Sequence, residues 1–267
     1  ELPSSLFPHQ AHGVEFALRA GCAALFYDTG LGKTAMALSW AHQVIRHTNK
    51  PVLMLEPLAV GPQHVREAAR LGIDAQVIRE GAEVTTPRVY VLNYDRLDKV
   101  DPSNFGGVIL DESSILKSFT GITTRKLIES FARVPFRLAC TATPAPNDHT
   151  ELGTHAEFLS VMRRDEMLPI WFIHDSADTG TWRIKGHAQD DFWRWVASWA
   201  RCVSKPSDLG FDDSGFVLPE LVTHRHEVIA DVSQDTGAEK DGQSRLFRIP
   251  EMSATSVHRE KRMTQSA

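Results

Sequence analysis

Two short stretches of this 267-residue sequence carry residue types at spacings that serve phosphate chemistry. In "YDTGLGKT", residues 27–34, Gly30 and Gly32 let the backbone N–H groups of the Thr29 to Gly32 turn, Leu31 among them, point at an anion. Lys33 then reaches the β- and γ-phosphates of a nucleotide, and the Thr34 hydroxyl ligates Mg²⁺. In "VILDESSILK", residues 108–117, an apolar run ends in adjacent carboxylates. Asp111 there holds Mg²⁺ through water, and Glu112 orients and deprotonates a water that attacks the γ-phosphate. Taken singly, the first stretch is also a tight turn feeding an ordinary helix, and the second a solvated strand end. Tyr27 departs from the phosphate-loop pattern, which has Gly or Ala at that position.

Such groups work only if strands and helices bring them to one place. Up to residue 157, apolar runs at 22–27, 51–57, 88–94, 107–112 and 136–143 alternate with helical patterns at 33–46, 60–71 and 123–131. This alternation predicts an α/β fold, a parallel sheet with helices on both faces. The phosphate loop then follows a buried strand and opens a helix, and the acidic pair lies at the carboxyl edge of the sheet, where ligands of open α/β sheets bind. The pattern divides the chain into a nucleotide-binding lobe over 1–157, a mainly helical, aromatic-rich extension over 158–220, and a polar linker over 221–267.

Composition removes several classes of function. With 42% hydrophobic and 24% charged residues the chain can bury a real core. No apolar run is long enough to cross a bilayer and the start has no leader pattern, so a cytoplasmic protein with no membrane partner is expected. Cys22, Cys140 and Cys202 are odd in number and far apart, which predicts buried reduced thiols rather than disulfides or a zinc site. A net charge of −5 argues against coating nucleic acid indiscriminately.

The ordered segments "FPHQAHGVEFAL", "DTGLGKT", "LEPLAVGPQHVREA", "VLNYDRL", "ILDESSILK" and "TATPAPN" resemble the first RecA-like motor lobe of superfamily-two helicases, specifically the Swi/Snf-type DNA-translocating ATPases. The resemblance covers about residues 5–225, and the stretch "FWRWVASWARCVSKPSDLGFDDSGFVLPEL" is closest in character to phage and bacterial members. It implies ATP and Mg²⁺ as cofactors, duplex DNA as partner, and hydrolysis coupled to movement along it. Gln10 matches the position that reads adenine. Lys33, Thr34, Asp111 and Glu112 match the phosphate, magnesium and water-activating positions. Thr141 and Thr143 match the motif coupling hydrolysis to movement. Pro57, Leu58 and Val60 match the segment laid along one DNA strand, and Tyr94 the following contact motif; such contacts go largely to phosphates.

The resemblance has departures. Ser114 stands where the family often has His or Asp, and "RCVSK" offers only Arg201 and Lys205 where two adjacent arginines are usual. No second-lobe motif follows, and the first residue is Glu, so the sequence reads as a fragment of a bacterial or phage-encoded protein, weakly active as an ATP hydrolase without its partner lobe. A nucleotide- or partner-binding module without turnover is the alternative, favoured by Tyr27 and Ser114. A small-molecule P-loop kinase would leave "TATP" without a role. Phe192, Trp195, Val196 and Trp199 form one helix face and read as core, which makes Trp193 the better base-stacking candidate. His149 with His155, and His224 with His226, lack a complete metal-ligand set.

Overall fold

The computed structural model describes residues 2–57, 60–174, 182–217 and 222–223. The chain divides into two compact units, 1–218 and 219–267, and the described sheet and helices belong to the first. They run in the order α1 (Pro8–Ala20), β1 (Cys22–Tyr27), α2 (Lys33–Thr48), β2 (Val52–Glu56), α3 (Gly61–Arg70), β3 (Ala75–Val77), β4 (Val89–Asn93) and β5 (Gly107–Asp111). Then follow α4 (Ile122–Phe131), β6 (Phe136–Cys140), α5 (Leu152–Phe158), α6 (Arg164–Trp171), β7 (Phe172–His174), β8 (Trp182–Ile184), α7 (Gln189–Trp199) and β9 (Ala200–Val203).

Seven strands form one parallel sheet in the order β3-β4-β2-β5-β6-β1-β9, the α/β fold with helices on both faces that the sequence predicts. Strand residues alternate between two cores, as a sheet covered on both faces requires. Ala23, Leu25 and Tyr27 of β1 pack with Val14 of α1 and with Met36, Trp40 and Val44 of α2, whereas Ala24 and Phe26 pack with Ala156 and Phe158 of α5 and with Phe192 and Trp199 of α7. Burying each such large apolar side chain contributes about 1.5–3 kcal/mol, so the near-continuous apolar runs are the main driving force for this layer structure.

Of the α7 stripe, Phe192, Val196 and Trp199 are buried core as expected and Trp195 packs partly buried against them, while Trp193 is 37% exposed and meets His149 edge-on at 5.2 Å. Within the stretch 158–220, expected to be mainly helical, β9 pairs with β1 and its Val203 carbonyl accepts from the Asp28 N–H. Cys140 is buried, but Cys22 is half-buried and Cys202 exposed, so burial accounts for one of the three free thiols. Among the described residues no helix is long and apolar enough to cross a membrane.

His155 on α5 is fully buried, with its Nε2 3.2 Å from Ser113 Oγ and its Nδ1 3.3 Å from the Glu151 carbonyl. Burial pushes its pKa down to about 4, against the opposing pull of those hydrogen bonds. The folded chain therefore binds fewer protons here than the unfolded one between pH 4 and 6.5. Stability from this group is present above pH 6.5 and is lost as pH falls through 4, on the order of 3 kcal/mol in all. Urea unfolding across this window is expected to show a steeper acid loss for the native chain than for His155→Gln. Parallel pH profiles for the two proteins would contradict the assignment.

Candidate active site

The carboxyl ends of β2, β5, β6 and β1 lie side by side, and each ends in a residue of the site or leads directly into one. Register pairs Leu25 with Cys140 and Cys140 with Asp111, so the strand ends before the glycine loop, the "TATP" segment and the acidic pair are neighbours. Gly30 and Gly32 take the left-handed conformation, φ 83° and 79°. Nothing lies within 4 Å of where a Gly30 Cβ would stand, so the loop has open space on that side, while a Cβ on Gly32 would run into the Gln10 amide. Thr29 N–H donates to Asp28 Oδ1 at 2.6 Å, Leu31 is buried beneath the loop, and Lys33 and Thr34 open α2.

Lys33 Nζ donates to the carbonyls of Tyr27 at 2.8 Å and Asp28 at 3.2 Å, which leaves the third ammonium N–H for another acceptor. Tyr27 does not obstruct the loop. Its ring is buried on the α1 side of the sheet, its hydroxyl donates to the His9 carbonyl at 3.4 Å, and Gly13 leaves it room, since a Cβ there would come within 2.7 Å of that oxygen. Burial raises its pKa to about 12.

Gln10 is buried rather than displayed. Its Oε1 accepts from the Phe7 N–H at 3.0 Å and its Nε2 donates to the Leu31 carbonyl at 3.1 Å, so it braces the glycine loop against α1. The sequence placed Gln10 on a nucleobase; the structure gives its oxygen and one amide proton to the protein backbone.

Glu112 sits in the left-handed region at φ 56° and ψ 58°, a strained conformation for a residue with a Cβ, of the kind concentrated at functional sites. Its Oε1 accepts from Thr141 Oγ1 at 2.6 Å, and that hydroxyl oxygen in turn accepts from the Thr143 N–H at 3.0 Å. Thr141 is fully buried whereas the Thr143 side chain is exposed, so the linkage runs through one hydroxyl and one backbone amide.

Tyr94 has a different place from the DNA contact expected of it. It is 8% exposed and donates its hydroxyl to the Asp111 carbonyl at 2.8 Å, because a ring at the end of β4 turns inward beneath the neighbouring strand ends. Its burial raises its pKa well above 10. Pro57 is exposed and Val60 half-buried at the start of α3, and Leu58 lies outside the described residues. Arg201 is engaged locally, its guanidinium 3.5 Å from the Phe16 ring and donating to the carbonyls of Ala197 and Ala200.

The sequence reading missed Glu56 and His64. His64 Nε2 stands 3.0 Å from Asp111 Oδ2, and its Nδ1 stands 2.6 Å from Glu56 Oε2. Both contacts are ion pairs, and Glu56 Oε2 and His64 Nδ1 lack aligned hydrogen-bond geometry. Burial pulls the imidazole pKa down, but the close carboxylates of Asp111 and Glu56 outweigh it and lift it to about 9. A buried acidic residue at a strand end, followed by a histidine on the next helix, was the available signal.

The fold and the residues at this edge define a RecA-like α/β lobe with a glycine-loop strand and an acidic strand separated by one strand. No family profile matches the chain. It is similar to the SWI2/SNF2 ATPase core domain of Sulfolobus solfataricus, with a TM-score of 0.63 at 16% identity over 82% of this chain and 46% of that one. The same organism's SWI2/SNF2 ATPase core in complex with dsDNA gives a TM-score of 0.60 at 16% identity, covering 75% and 44%. In sequence the chain is 28% identical over 176 residues to the DNA annealing helicase and endonuclease ZRANB3 of Bos taurus, and 27% identical to that of Mus musculus. Each of these matches covers 60% of this chain and 16% of the relative's length. These relatives give the phage or bacterial subtype no support.

Proposed function

We propose that this chain is the ATP-binding lobe of a helicase-like ATPase that hydrolyses the γ-phosphate of ATP and moves along duplex DNA together with a second RecA-like lobe. The observation that carries the reading is the hydrogen bond from Thr141 to Glu112 beside the Lys33 loop, which ties a general-base carboxylate to the segment expected to couple hydrolysis to movement. Lys33 and the loop amides bind the phosphates at the positive end of α2. Glu112 accepts the proton of the attacking water, and Thr141 holds the carboxylate by one oxygen. The residues present fit Mg²⁺: Thr34 offers a hydroxyl and Asp111 a carboxylate, and no described group of three His, Cys, Asp or Glu side chains could hold a metal unaided. Magnesium takes one or two protein ligands and completes its shell with phosphate and water oxygens, and when bound it neutralises charge on the phosphates. Tyr27 no longer favours a module without turnover, since its ring faces α1.

The test of the DNA half of this reading is a titration with duplex DNA across salt concentrations. The slope of log affinity against log salt is about −0.9 per phosphate contact, and a narrow track around residues 57–60 on an acidic chain predicts about two to five contacts with no sequence preference. A much steeper slope would point to a basic surface elsewhere. No binding at the lowest salt would sink duplex DNA as the partner.

A further inference from the structure

We propose that His64, bridged between Glu56 and Asp111, is a positioning residue for the magnesium-binding carboxylate of this site. The inference rests on the ATPase reading above. Glu56 ends β2 and is buried, and α3 begins hard against it, for a Cβ on Gly61 would come within 2.7 Å of Glu56 Oε1. One helical turn on, His64 faces back over the same strand end with its side chain 5% exposed. β2 and β5 are hydrogen-bonded neighbours, so Asp111 at the end of β5 falls within reach of the far side of the imidazole.

Neutralising Glu56 would require one ring nitrogen. The geometry uses both, and the second goes to Asp111 Oδ2 rather than to a backbone carbonyl. The Asp111 carbonyl is held at the same time by the Tyr94 hydroxyl. Asp111 is thus fixed through its main chain and through one carboxylate oxygen, which leaves Oδ1 for a metal-bound water. Outer groups that hold a ligating carboxylate in this manner are worth about 10- to 100-fold in metal affinity when removed. A free carboxylate would have to be ordered each time the metal binds, and the Glu56–His64 pair does that ordering in advance.

Two substitutions separate the two ends of the imidazole. His64→Asn places an amide near the Nδ1 position, toward Glu56, and withdraws the donor from Asp111. His64→Gln extends an amide toward the Nε2 position and keeps that donor. ADP binding is measured by calorimetry at graded Mg²⁺ concentrations and without metal, with thermal melting as the folding control. In His64→Asn the magnesium concentration giving half-maximal tightening is expected to rise about 10- to 100-fold with metal-free ADP affinity unchanged, while His64→Gln stays close to the native chain. Unchanged magnesium dependence in His64→Asn, tighter magnesium binding, or equal losses in both variants overturns the positioning role. Failure of the unaltered chain to bind ADP overturns the nucleotide reading itself, and the inference with it.

Discussion

Replacing Lys33 by alanine is expected to weaken binding of Mg·ATP by about 10- to 150-fold, the equivalent of about 1.5–3 kcal/mol for a hydrogen bond made by a charged group. The ammonium lies over the loop, donating to the carbonyls of Tyr27 and Asp28, with one N–H left for a phosphate oxygen. Its loss should not unfold the lobe, because Lys33 is half-exposed and water can reach the carbonyls it leaves. A melting temperature within a degree or two of the native value would therefore accompany the lost affinity. Lys33→Arg is not a conservative rescue, since a planar fork replaces a compact point charge at the mouth of a tight loop. Calorimetry returning native affinity for Lys33→Ala would remove the phosphate cradle from the account of this protein.

Replacing Glu112 by glutamine separates binding from chemistry. The amide keeps the shape of the side chain and still offers Oε1 to the Thr141 hydroxyl, so the link between the acidic strand and the "TATP" segment survives. What it lacks is basicity. ATP affinity is expected to stay near that of the native chain, while single-turnover hydrolysis with duplex DNA present falls by about 10²- to 10⁴-fold, the usual range for a positioned general base. A Gln variant that hydrolyses ATP at the native rate would show that the proton goes elsewhere. The left-handed backbone at Glu112 adds a second expectation within the same experiment: the native and Gln chains should melt alike, since both carry a Cβ in that conformation.

The sequence by itself determined the layered α/β fold and singled out the residues proposed as the chemical core of the site, and for a local reason. A buried parallel strand is written as an apolar run, a covering helix as a stripe, and a phosphate loop as a few contiguous residues, so 22–27, 33–46 and 107–112 were legible without any knowledge of their neighbours. Lys33 and Glu112 belong to that class. The tertiary structure decided everything that depends on strand order and on the direction of a side chain across the sheet. That Tyr27 turns under α1 rather than into the loop follows from which face of β1 it occupies and from the space at Gly13. That Gln10 braces the loop and Tyr94 props Asp111 follows from α1 lying over β1, and from β4 and β5 flanking β2. Residues 200–203 were read as part of a mainly helical extension, yet they complete the sheet edge beside β1, because a four-residue strand with only its first and last residues buried leaves no continuous apolar run to recognise. Glu56, His64 and Asp111 come from three elements whose approach is fixed by the β4-β2-β5 order, and no spacing within the chain encodes that order.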